Sequence, residues 1–139
     1  MKEDKRSYPR AKIKWSIVVE SDQGKIDGVT SNLTPDGLFI HCEKPLRIND
    51  VVELSIDIPN SNQTLKATAE VIWSNRYGPD DEISPRGMGV RFIRITSEAR
   101  RFIAQSALNY FKSKEVAPEL LQTLKTLVID ATESDIRAA

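Results

Sequence analysis

Through most of the first hundred positions apolar and polar residues alternate, the period of a strand with one buried face. Ile13, Trp15, Ile17 and Val19 make one such set, with Lys14, Ser16 and Val18 between them. Val52, Leu54, Ile56 and Ile58 repeat it against Glu53, Ser55 and Asp57. Ala67, Ala69, Val71 and Trp73 do so against Lys66, Thr68 and Glu70, and Met88, Val90 and Phe92 against Gly89 and Arg91. Turn signals separate the sets: Asp22-Gln23-Gly24, Pro35-Asp36-Gly37, Pro59-Asn60-Ser61-Asn62 and the long stretch from Ser74 to Arg86. Short strands at regular spacing, with no helical pattern between them, predict a mainly β fold, a small antiparallel β-barrel.

The period changes at Thr96. Ala99, Phe102, Ile103, Ala107, Tyr110 and Phe111 share one helical face, with Thr96 or Ser97 as N-cap and Glu98 in the first turn. A second helix is expected from Pro118, with Leu120, Leu121, Leu124, Leu127 and Val128 as its apolar side. Those leucines must be covered by the protein itself, a second copy in a homodimer, or a partner; Phe102, Tyr110 and Phe111 offer a platform that favours self-packing. The chain thus divides into residues 1–114, a barrel with an N-terminal arm and the first C-terminal α-helix, and residues 115–139, a further helix and tail.

The chain has 139 residues, one domain's worth, with 20 Lys and Arg against 20 Asp and Glu. Zero net charge argues against a nucleic-acid polymer as partner. The charge is unevenly placed, however. Lys2, Lys5, Arg6, Arg10, Lys12 and Lys14 crowd the first fourteen positions against Glu3 and Asp4. A basic arm on a neutral protein suits a small anion. Cys42 is the single cysteine, which excludes an internal disulfide, and no apolar run reaches the length of a signal or membrane-spanning segment. A cytoplasmic protein without membrane insertion is expected.

Little here suggests catalysis. His41 is the sole histidine and adjoins Cys42 on an expected strand, so the two side chains face opposite ways and form no dyad. Neither a zinc ligand set nor a nucleophile elbow, phosphate loop or dinucleotide fingerprint is present. The expectation is a binding protein that uses no cofactor and is not an enzyme.

Two short segments carry the candidate chemistry. In Lys5-Arg6-Ser7-Tyr8-Pro9-Arg10 two arginines stand four apart just before the first strand, able to converge on one anion if the arm folds over the barrel. Guanidinium groups grip phosphate oxygens or a guanine edge with parallel donors and stack on bases. The bland alternative is a solvated basic tail. In Asn32-Leu33-Thr34-Pro35-Asp36-Gly37 an extended backbone points Asn32 and Thr34 the same way, an amide beside a hydroxyl suited to a base edge. Gly37 would allow a tight turn and close backbone approach to a ligand. The alternatives are an ordinary hairpin turn and a glycosylation sequon, the latter discounted without a secretory signal.

In this order, and followed by Gly87-Met88-Gly89-Val90-Arg91-Phe92, these segments resemble the PilZ family of cyclic di-GMP receptors. That family carries R-x-x-x-R, then [D/N]-x-S-x-x-G, then a G-x-G-V-R-F strand. Arg6 and Arg10 match the first motif, with Lys5 where a third basic residue is often found; Asn32 and Gly37 match the second, and Thr34 stands in the serine position. The resemblance covers roughly residues 4 to 112 and implies a PilZ-type barrel. It implies cyclic di-GMP held between the arm and the barrel by Arg6, Arg10, Asn32, Thr34 and Gly37. The signal would pass to a protein partner that the sequence does not name. The alternative is a PilZ-like adaptor that binds no nucleotide. Trp73 has two readings: a base-stacking platform, or a core or rim residue in phase with Ala67, Ala69 and Val71. The loop after it, with Arg76 and Arg86 against Asp80, Asp81 and Glu82, reads as solvated or as a partner surface.

Overall fold

The computed structural model describes residues 8–112, 114 and 118–138, with residues 120 and 130–138 described by backbone alone. Six strands are followed by two helices: β1 (Ser16–Ser21), β2 (Gly24–Thr34), β3 (Gly37–His41), β4 (Val51–Asp57), β5 (Thr64–Asn75), β6 (Gly87–Ile95), α1 (Ser97–Phe111) and α2 (Pro118–Ala138). The strands close a barrel in the order β1-β2-β3-β6-β5-β4, every pair antiparallel, with β1 against β4 as the closing seam. Closure leaves no unpaired edge. The expected mainly β barrel with C-terminal helices is the observed architecture.

The alternating sets supply the core. Trp15, Ile17, Val19, Val52, Leu54, Ile56, Ile58, Ala69, Val71, Met88 and Val90 are all buried in one cluster, joined by Leu38 and Ile40 of β3. The first strand begins at Ser16 rather than Ile13. Thr30 accounts for this. Its buried hydroxyl accepts from the Trp15 amide at 2.8 Å and donates to the Ile13 carbonyl at 2.8 Å. A side chain thus takes ladder partners that β2 backbone would otherwise provide.

Thr96 is the N-cap of α1, its hydroxyl accepting from the Ala99 amide at 3.0 Å. The helix serves two clusters. Ile103 and Phe102 close the barrel core, while Ala104, Ala107 and Phe111 meet Leu124 of α2, with Leu121, Leu127 and Val128 packed alongside. Leu124 is fully buried, so the leucines of α2 pack on the chain's own first helix. Leu120 lies outside the residues whose side chains are described. Ala11 belongs to the same second cluster, with Tyr8 and Ile13 at its margin. This part of the arm is packed against the helices, with Ala11 fully buried. The small apolar Ala11 is what the basic composition obscures.

Candidate functional site

Two bulges bring distant residues into one row on the outside of the barrel. The β2–β3 register shifts between Thr30 and Asn32, and the β5–β6 register shifts between Val71 and Trp73. After those shifts Asn32 pairs with Phe39, Phe39 with Gly89, and Gly89 with Trp73. The row therefore crosses β2, β3, β6 and β5 in order. A bulge turns a strand's following residues to the other face, which puts Trp73 outside although Val71 is buried. A core position for Trp73 is excluded, because the residue is 42% exposed, which leaves a rim position or a stacking platform. It lies beside Phe39 with centroids 5.5 Å apart, and Phe39 meets His41 edge-on at 5.2 Å. Gly89 leaves the floor between the two rings free of a side chain.

The arm closes over the Asn32 end of this row. Ala11 and Leu33 exchange both backbone hydrogen bonds, at 3.1 and 2.8 Å, an isolated antiparallel bridge whose register sets Arg10 opposite Thr34. Tyr8, Arg10, Asn32, Thr34, Gly37, Phe39 and Trp73 all line one cleft of about 660 Å³. That volume lies within the range of small-molecule sites. Five of the sequence-derived site residues thus meet in one place. Lys5 and Arg6 lie outside the described residues. Arg10 is exposed, and among the described residues neither its guanidinium nor the Asn32 amide has a hydrogen-bonding partner.

Thr34 and Gly37 are engaged differently. The Thr34 hydroxyl accepts from the Asp36 and Gly37 amides at 3.1 and 3.2 Å and donates to the Gly37 carbonyl at 3.3 Å. One donor and two lone pairs are all a hydroxyl has, so here it shapes the turn. Threonine and serine are equivalent for that purpose. A Cβ at Gly37 would stand 2.2 Å from the Val90 carbonyl oxygen, so the close approach made possible by glycine is to β6. The turn is held from a third side by α1. Arg100 donates to the Pro35 carbonyl through Nε at 3.2 Å and to Asp36 Oδ1 through Nη2 at 2.9 Å, and its guanidinium lies 5.9 Å from the centre of the Tyr8 ring.

The loop after β5 is not simply solvated. Asn75 is buried and donates to the carbonyls of Pro79, Ser84 and Pro85 at 2.7, 2.8 and 3.2 Å, while its Oδ1 accepts from the Gly78 amide at 2.9 Å. Arg86 donates to the Gly78 carbonyl at 2.7 Å, so it helps to hold the loop. The loop brings Glu82, Ile83 and Pro85 to the cleft, and Ile72 and Arg91 complete it from β5 and β6. Arg91 pairs with Glu70. Sequence reasoning missed Tyr8, Phe39, Ile83 and Arg100. Phe39 had a usable signal, since it stands two residues beyond Gly37 and so shares its outward face; Arg100 had none.

His41 is exposed and Cys42 buried, on opposite faces as their adjacency requires. Burial pushes the Cys42 thiol up to about 11. Among the described residues no three of His, Cys, Asp or Glu are grouped so as to hold a metal, and no helix is long and apolar enough to cross a membrane.

A closed six-stranded antiparallel barrel with a cleft on its outer face and two C-terminal helices defines a small β-barrel domain. The PilZ domain model matches residues 4–108, and the chain belongs to the PilZ family. No curated protein matches the chain. Among solved structures it is similar to the Bacillus subtilis inhibitor of motility MotI/DgrA, with a TM-score of 0.66 at 16% identity, over 83% of this chain and 55% of that one. It therefore spans about half the length of that protein. It is also similar to the PilZ domain of YcgR from Escherichia coli solved with c-di-GMP, with a TM-score of 0.62 at 11% identity, over 77% of this chain and 92% of that one. At these identities the likeness is one of fold.

Proposed function

We propose that the cleft binds cyclic di-GMP and that the protein is a non-enzymatic cytoplasmic receptor, relaying the second messenger to a protein partner in motility, pilus or biofilm control. The observation that carries this is the row Asn32–Phe39–Gly89–Trp73 with Arg10 lining the same cleft, two neighbouring aromatic rings joined to an amide and a guanidinium that have no hydrogen-bonding partner among the described residues. Arg10, with Lys5 and Arg6 of the same arm, supplies charge for the phosphates; Trp73 offers a guanine a stacking face; Asn32 offers its edge an acceptor and two donors. Thr34 and Gly37 serve the site by fixing the turn beside Asn32. The family membership and the c-di-GMP bound to the related YcgR domain support the choice of ligand. Threonine in the serine position gives the adaptor alternative little support, because the hydroxyl is used inside the turn, where serine and threonine serve alike.

The relay has a physical route. Arg100 ties the Pro35-Asp36 turn and Tyr8 of the arm to α1, and α1 carries α2. Ligand that draws the arm inward would change the load on one guanidinium that α1 presents, and so the surface shown to a partner. Tryptophan emission tests the site directly, because Trp15 is buried and Trp73 lies in the cleft. Cyclic di-GMP should change the emission of the wild type and leave Trp73→Leu largely unchanged. An equal change in both would place the ligand elsewhere.

A further inference from the structure

Several polar side chains of the loop between β5 and β6, and Asn75 at its start, bond the loop's own backbone. Asn75 gathers three carbonyls, Asp81 Oδ1 accepts from the Ile83 and Ser84 amides at 3.0 and 2.8 Å, and Asp80 Oδ1 accepts from the Arg86 amide at 2.8 Å. This network holds out a tip, Glu82-Ile83, at the cleft. Ile83 is 91% exposed there, which contributes nothing to the core. Among the described residues four charged side chains line the cleft. Asp36 is paired with Arg100 and Arg91 with Glu70. Arg10 and Glu82 have no such partner among the described residues. Among the described residues the cleft thus has an unpaired cation from the arm and an unpaired anion from the loop, and a phosphate belongs with the first and is repelled by the second.

We propose that Glu82-Ile83 is a base-selecting lip: Ile83 packs on the face of a guanine, and the Glu82 carboxylate accepts from its N1–H and its exocyclic amine. This rests on the reading of the cleft as a cyclic di-GMP site. A carboxylate matches the two adjacent donors of guanine, whereas adenine presents a lone pair at N1 and no amine at C2. The lip thus selects cyclic di-GMP over cyclic di-AMP, which carries the same phosphates.

Calorimetric titration of the full chain with both dinucleotides tests this in the wild type, Glu82→Gln, Ile83→Ser and Ile83→Val. Both side chains are exposed, so the fold is retained. Loss of a hydrogen bond to a charged group should weaken cyclic di-GMP by about tenfold or more in Glu82→Gln, with cyclic di-AMP binding unchanged. Ile83→Ser should weaken cyclic di-GMP several-fold, and Ile83→Val should restore most of it. The lip is overturned if Glu82→Gln binds cyclic di-GMP like the wild type or weakens both dinucleotides equally, or if Ile83→Ser changes nothing. Absence of wild-type binding to cyclic di-GMP would bring down the site itself and the lip with it, an outcome visible in the wild-type arm alone.

Discussion

Arg100 of α1 donates to the Asp36 carboxylate across 2.9 Å, joining a helix to a hairpin turn sixty-four residues earlier in the chain. The pair is partly exposed, at 34% and 55%, so the ion pair itself stabilises by no more than about 1 kcal/mol. Its importance is positional, because the same guanidinium also holds the Pro35 carbonyl and faces Tyr8. Arg100→Met should lower the melting temperature only slightly. It should weaken the proposed ligand several-fold and speed amide exchange across the turn. Unchanged affinity and exchange would show that α1 and the turn are independent.

The Thr34 hydroxyl is the second test of that turn. Thr34→Ser keeps all three hydrogen bonds and should leave stability and binding as they are. Thr34→Val leaves two amides without their acceptor and should cost about 1–2 kcal/mol in denaturant unfolding, with ligand affinity falling in parallel. A Val variant that binds weakly but unfolds like the wild type would instead assign the hydroxyl to the ligand.

Much of the barrel was legible because a half-buried strand must alternate. The errors fall where a side chain or a bulge interrupts that rule. Thr30 displaced the start of β1 by serving Trp15 and Ile13 through its hydroxyl. The bulge before Trp73 cannot be seen by counting every second residue from Ala67, so a surface tryptophan kept the phase of the core. The site motifs were legible as residue types, and Arg10, Asn32 and Gly37 do meet at the cleft. What the motifs could not show is division of labour. Thr34 stands out in the sequence as a hydroxyl beside Asn32, but not as the maker of three turn bonds, and the largely exposed polar loop gives no sign that a buried Asn75 holds it. Contacts such as Arg100 to Asp36 depend on how the helix returns to the barrel, which no local pattern encodes.

Helix α2 is part of the folded unit through Leu124, which is fully buried against Ala104, Ala107 and Phe111. Leu124→Ala should cost about 2–4 kcal/mol, read from the midpoint of chemical unfolding. Because Ala11 and Tyr8 share this cluster, the arm should also loosen. A variant as stable as the wild type would mean that α2 contributes little to the fold.

Cys42 gives a pH signature. Burial raises its thiol from the usual 9.0 to about 11, so between those values the folded protein keeps a proton that the unfolded chain releases. Its contribution to stability is complete below pH 9 and is lost as pH rises through about 11. At neutral pH the native thiol should react with a disulfide reagent far more slowly than in denaturant. Equal rates would contradict its burial.

The central claim is that the cleft over Asn32, Phe39 and Trp73 takes cyclic di-GMP with Arg10 as a principal anchor. Isothermal titration of the wild type and Arg10→Ala measures it most directly. Loss of a charge-assisted, multidentate contact should weaken binding by about tenfold or more in the variant, at unchanged melting temperature. No heat of binding from the wild type at high micromolar cyclic di-GMP, or equal affinity in the two proteins, would contradict the account.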